Sequence, residues 1–188
     1  MTEYACARLR LRRPDQVNPA AVARFLARNT THFAPWDPPR PAGLATLEYQ
    51  RESLPLQAEA FAQGYCYRWY VERLDAPGVV MAKLEVSGVS RGPHQSAFFG
   101  FAIDHAHEGQ GLMREAAEAV IAAAFGPAIQ LHRLQAAHQP QNQRSAGLLQ
   151  RLGFTPIGLA RGYLFINGEW RDHQLVERLN PSFAWPAT

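Results

Sequence analysis

The sequence predicts an α/β domain with a mixed sheet, and three stretches carry that reading. Phe98 to Asp104 reads as an aromatic strand that passes, through a loop holding Gly109 and Gly111, into an alanine-rich helix from Leu112 to about Phe125. A short strand, His132 to His138, then leads through a Pro140 turn into a second helix. There Asn142 is a good N-cap, Ser145, Leu148, Leu149 and Leu152 share one face, and Gly153 suits a left-handed C-terminal cap. Last, Tyr163 to Ile166 and Glu169 to Val176 alternate and are joined by Asn167-Gly168, the strongest short-range hairpin signal.

The chain before these blocks is read in order. A strand is expected near Ala7 to Arg12, and Arg8, Arg10, Arg12 and Arg13, interleaved with apolar residues, read as its solvated face. A helix follows near Pro19 to Arg28, then a Pro-rich loop from Pro35 to Pro41, then a helix ending about Gln63. Strands are expected at Tyr65 to Glu72, Val79 to Ser87 and Gln95 to Ile103. The Pro35-to-Pro41 stretch reads as a structured bend, because nothing before it is large enough to fold alone. Residues 7–180 are therefore read as one domain and 181–188 as a C-terminal tail.

Composition narrows the class. With 188 residues and 47% hydrophobic content, the chain can build its own core. No apolar run is long enough to span a membrane and the start lacks a signal-peptide core, so a cytoplasmic location is expected. Cys6 and Cys66 are too few to imply a disulfide framework. The net charge of +3 comes almost wholly from arginine, Lys83 being the only lysine. No aromatic-interleaved basic stripe argues for direct nucleic-acid binding, and no metal site is expected.

The chemistry begins at the glycine loop. Glycines at a loop-to-helix junction let backbone N–H groups close on a phosphate, and the helix N-terminus adds partial positive charge. A dinucleotide fingerprint is excluded because Arg114 stands where its third glycine belongs, and no Gly-Lys-Ser or Gly-Lys-Thr of a P-loop occurs.

Taken together, Gly100-Phe101-Ala102-Ile103, Glu108-Gly109-Gln110-Gly111-Leu112-Met113-Arg114-Glu115-Ala116, Asn142-Gln143-Arg144-Ser145, Arg151-Leu152-Gly153-Phe154 and Ile166 to His173 resemble the GNAT superfamily of acyl-CoA N-acyltransferases. More narrowly they are similar to its RimJ/RimL-type ribosomal-protein-alanine N-acetyltransferases. His32-Phe33 and Pro35-Trp36-Asp37-Pro38 are similar to that branch as well. The resemblance implies a central mixed, strongly twisted sheet flanked by helices, acetyl-CoA as cofactor, and transfer of acetyl to a primary amine by direct attack in a ternary complex. Two departures stand out: relatives usually carry Gln or Arg where this chain has Ala106, and often Lys or Arg where it has Gln110.

Site roles follow from the resemblance. In relatives the two central parallel strands splay, and free amides hold the thioester and pantetheine; here the donors would be Phe101, Ala102 and Ile103, residues that serve equally well as core. His107, Glu108, Gly109, Gln110, Gly111, Leu112, Met113 and Arg114 would hold the phosphates, either with the backbone amides dominating or with Arg114 and His107 compensating for Ala106 and Gln110. The Glu108 carboxylate is expected to point outward. Asn142 would bond the pantetheine amides or simply cap its helix. Ser145 would protonate the departing thiolate, or only bond the backbone. Glu85 is a candidate general base working through water, against the commoner reading of an exposed strand glutamate; His94, His105 and His138 are others. His32, Phe33, Trp36 and Asp37 lie where this branch builds its acceptor pocket, although Trp36 also reads as plain packing. Asp172 and His173 are expected to be mainly structural or to shape the site entrance.

Three functional readings result. The acceptor is the N-terminal α-amine of a protein, with a ribosomal protein implied; or it is a small amine; or the chain is a non-catalytic acyl-CoA-binding sensor or scaffold. A monomer or a homodimer fits each.

Overall fold

The structure, a computed structural model, describes residues 6–185. Strands β1 (Leu9–Arg12), β2 (Tyr67–Arg73), β3 (Ala76–Ser90), β4 (Ser96–Ile103), β5 (Arg133–His138), β6 (Thr155–Ile166) and β7 (Glu169–Leu179) form one sheet in the order β1-β2-β3-β4-β5-β7-β6. Every neighbouring pair is antiparallel except β4 and β5, which run parallel. The helices are α1 (Pro19–Arg28), α2 (Thr30–Phe33), α3 (Leu47–Ala62), α4 (Leu112–Phe125) and α5 (Gln143–Arg151). The α/β class with a mixed sheet flanked by helices is the one the sequence predicts.

Local chemistry explains where the helices begin. Asn18 caps α1 by accepting from the Ala20 N–H, with Pro19 pre-set in the first turn. Thr46 caps α3 by accepting from the Tyr49 N–H. Side chains alternate across β2, so Tyr67, Trp69 and Val71 face one way and Arg68 and Tyr70 the other. On the first face they join Leu9, Leu84, Val86 and Phe99 in a core closed by α4 and α5 through Val120, Ile121, Leu148 and Leu149. On the second, Tyr70 and Val80 meet Val22, Phe25 and Leu26 of α1 and Leu54 of α3. Each such large apolar side chain contributes about 1.5–3 kcal/mol over its exposed state.

Two expectations needed revision. A short helix, α2, occupies residues for which none was expected. Strand β6 starts at Thr155 rather than Tyr163; Pro156, Gly158 and Gly162 hide its alternation, and they are tolerated because β6 is an edge strand with two register shifts. The tail, described as far as Trp185, folds back so that Phe183 packs on His132 with ring centroids 5.2 Å apart; residues 186–188 lie outside the described residues.

One asymmetry positions the site. Strand β4 pairs with β3 as far as Ile103 opposite Ala82, but with β5 only from Ser96 to Phe98, the last pair being Phe98 and Gln135. Beyond Phe98 the two parallel strands separate.

Candidate active site

The separation exposes backbone. The Asp104 N–H donates to the Met81 carbonyl on β3, so by the alternation of an antiparallel ladder Ala102 also turns its polar groups to β3. Phe101 and Ile103 then direct theirs into the gap toward β5. Of the three expected backbone donors, the geometry aims these two at the gap and turns Ala102 back into the sheet.

The glycine loop closes one end of that gap. After β4, Asp104 caps a single 3-10 turn (His105–His107) by accepting from the Ala106 N–H, and its other oxygen pairs with Arg28 of α1. Asn29 adds a second clamp by accepting from the His105 N–H at 3.1 Å. Gly109 and Gly111 have φ of 73° and 74°, the left-handed region that suits glycine. Gly111 is the N-cap of α4 and has no side chain to satisfy the first-turn N–H groups, so they remain for a ligand. His107 Nδ1 is buried there without a partner, a polar wall atom consistent with an absent ligand.

The charges around this loop differ from expectation. Glu108 does not point outward: its carboxylate bridges His32, 3.3 Å away, and Arg144 of α5. A histidine and an arginine from distant segments supply the partners that a local reading lacks. Arg8 leaves the solvated face assigned to it, pairing with Glu115 at 2.8 Å and donating to the Gln110 carbonyl at 3.3 Å. Arg114 pairs with Glu118 one turn along α4. Three half- to mostly exposed arginines thus stand at the loop, each tethered by a glutamate, and Arg8 and Arg144 are the two to which sequence reasoning gave no site role.

Across the gap, Asn142 caps α5 by accepting from the Ser145 N–H at 3.1 Å. That uses its oxygen and leaves its Nδ2 without a partner among the described residues. The Ser145 hydroxyl likewise forms no bond among the described residues, so the helix-bonding alternative does not occupy it. A shallow hollow on the outer flank of α5, lined by His138, Gln143, Gly147 and Gln174, includes neither residue.

The opposite face of the β3–β4 pair, under α1 and α3, carries the acceptor candidates. Asp37 pairs with Arg40, whose guanidinium sits 5.0 Å over the Phe33 ring. Phe33 is buried in the α1–α3 core, and Trp36 is 37% exposed. The loop is held near the end of β5 by the Gln139 amide, which donates to the Pro35 carbonyl at 3.0 Å. Glu85, registered opposite Gly100, is tied to Arg68 on β2. Burial drives the nearby Cys66 thiol up to about 11, with Glu85 adding to the rise. On the hairpin, Asp172 accepts from the Gly162 N–H and His173 is buried against Tyr163.

Comparison with known proteins agrees with this geometry. Residues 8–155 match the family model described as an acetyltransferase (GNAT) domain. The [ribosomal protein uS5]-alanine N-acetyltransferase of Escherichia coli is 32% identical over 162 residues, 86% of this chain and 82% of that one. A probable N-acetyltransferase of Bacillus subtilis, YjcK, is 43% identical over 93 residues, which span half of this chain and 51% of that protein. Among solved structures, the ribosomal-protein-S5-alanine acetyltransferase of Vibrio fischeri superposes with a TM-score of 0.87 at 31% identity, covering 94% of each chain. RimJ of Mycobacterium smegmatis, solved with CoA-disulfide, gives 0.81 at 26% identity over 91% of this chain and 80% of that one. GNAT acetyltransferases draw their acyl group from acetyl-CoA, and the unpaired α4 amides, the orphaned His107 nitrogen and the open edge of β4 fit that cofactor. By sequence over most of its length and by fold, the chain belongs to the GNAT acetyltransferase family, as an acetyl-CoA-dependent acyltransferase related to the ribosomal-protein-alanine acetyltransferases.

Proposed function

We propose that the protein acetylates the N-terminal α-amine of a protein, a ribosomal protein being the target class its relatives' activity supports. The observation that carries the reading is the opened β4–β5 pair, whose Phe101 and Ile103 amides face the gap between the glycine loop and the first turn of α5. Oriented donors at a thioester carbonyl stabilise the charge that develops when an amine attacks it. The residues from His107 to Arg114 hold the phosphates through backbone N–H groups, and Asn142 Nδ2 bonds the pantetheine. His32, Phe33, Trp36 and Asp37 shape the entrance for the acceptor.

Attack forms the C–N bond, the C–S bond breaks, and Ser145 donates its proton to the leaving thiolate. Glu85, held by Arg68, takes the proton of the attacking amine through water. A modest base suffices for this acceptor: at pH 7.5 an α-amine of pKa ~8 is about one quarter neutral, against roughly a thousandth for lysine. Asp37 and Glu85 are each engaged by an arginine, which disfavours a polycationic small amine as the acceptor. The free Ser145 hydroxyl disfavours a non-catalytic sensor.

The test is thiol release from acetyl-CoA against Ala- and Ser-starting peptides and a panel of small amines. Peptide-dependent release is the expected result. Release with small amines alone moves the function to that acceptor class, and binding of acetyl-CoA without turnover points to a sensor.

A further inference from the structure

Five charged side chains surround β3 on its α1–α3 side: Asp37 and Arg40 from the loop after α2, Arg68 from β2, and Lys83 and Glu85 from β3 itself. Four of them are paired, Arg40 with Asp37 and Arg68 with Glu85. Lys83 forms no ion pair and no hydrogen bond among the described residues, and it stands half-buried at the position registered against Ala102 of β4. The two anions of the cluster are claimed by arginines.

We propose that Lys83 sets acceptor specificity: its unpaired ammonium binds a carboxylate carried close to the amine that is acetylated. The proposal rests on the acyl-transfer reading above. Three cations face two anions here, so the cluster carries one positive charge in excess, and an acceptor carboxylate neutralises it. A half-buried donor left without a partner discriminates between a ligand that satisfies it and one that does not. The same excess charge disfavours an incoming ammonium relative to the neutral amine that reacts.

Other groups facing Lys83 do not replace that anion. The Tyr70 hydroxyl, pushed above its ordinary value by burial, donates to Gln57 at 2.8 Å, and the Cys66 thiol is pushed up to about 11. Burial holds the Lys83 ammonium below the usual lysine value, with Asp37 opposing, as expected of a cation short of partners. The carboxylate has two sources, an acidic side chain near the start of a peptide or the α-carboxylate of a free amino acid.

Because Lys83 is the only lysine, it is a single-site reporter. The experiment compares kcat/KM for Ala-Glu-starting against Ala-Gln-starting peptides, and for free amino acids against their amides. A preference for the carboxylate of roughly ten- to hundredfold, carried by KM, is expected in the arm that holds the true acceptor. Lys83→Met should bring the ratio near one, and Lys83→Arg should restore most of it. A ratio near one in the unmodified protein, or one that persists in Lys83→Met, overturns the proposal. In parallel, reductive methylation of Lys83 is followed by peptide mass with acetyl-CoA present. Slowing by the carboxylate ligand and not by its amide supports the assignment; equal slowing, or none, overturns it. Absence of turnover with every acceptor would sink the acyl-transfer reading, and the methylation result would still decide the role of Lys83.

Discussion

The two sides of the β3–β4 pair are built from different materials. Toward α4 and α5, the cofactor side offers mainly main chain: the Phe101 and Ile103 amides, two left-handed glycines and the uncapped start of α4. Toward α1 and α3, the proposed acceptor side offers side chains drawn from β2, β3 and a loop nearly 50 residues away, locked in Arg–carboxylate pairs. A backbone site tolerates changes of side chain and fails when φ/ψ changes. A side-chain site behaves in the opposite way, which is how one scaffold keeps its cofactor while acceptors diverge.

Substitutions can separate the two sides. The largest effect is expected at Ser145, where removing the hydroxyl deletes the proposed proton donor. Ser145→Ala should lower kcat by roughly a hundredfold or more while acetyl-CoA binding, measured by calorimetry, stays essentially unchanged. Unchanged turnover would remove Ser145 from the chemistry.

Asp104 ties the glycine loop to α1 and should give the next largest effect. Burial pushes its carboxyl up, but the Arg28 guanidinium and the Ala106 and Asn29 contacts outweigh that and hold it below the usual carboxylate value. Its folded pKa being the lower one, its contribution is complete above about pH 4 and is lost as pH falls through the folded value. Asp104→Asn should cost about 1.5–3 kcal/mol at pH 7, and the gap from the unmodified protein should narrow steadily in denaturant melts below pH 4. A gap independent of pH would break this link.

Smaller effects sharpen the contrast. Gly111→Val forces a β-branched residue into the left-handed region, costing about 1–2 kcal/mol, and should weaken acetyl-CoA binding about tenfold while leaving the acceptor KM alone. Arg68→Met should do the reverse, raising the acceptor KM several-fold without changing cofactor affinity, because its partner Glu85 lies on the other face. Asn142→Ala should remove a cap worth about 1 kcal/mol and weaken the cofactor slightly, seen as a small drop in Tm and in affinity. If Gly111→Val and Arg68→Met both changed both constants equally, the division between the faces would be wrong.

This division also explains what could be read in advance. Gly109, Gly111, the Asn142 cap on Ser145 and the Asn167-Gly168 turn are local signals, and each stands where its spacing placed it. Contacts set by distant segments were not legible. Glu108 turns to His32 and Arg144, Arg8 reaches Glu115 and Gln110, and Glu85 meets Arg68 only because β2 and β3 pair in one register. The first half of β6 was lost because Pro156 and Gly158 break the alternation that an edge strand does not need.

The most direct measurement uses one peptide with a free Ala N-terminus and one internal lysine, incubated with acetyl-CoA and the enzyme near pH 7.5 and mapped by mass spectrometry. Acetyl on the α-amine alone is the predicted result. Acetyl on the lysine would contradict an α-amine acceptor and the modest-base chemistry assigned to Glu85.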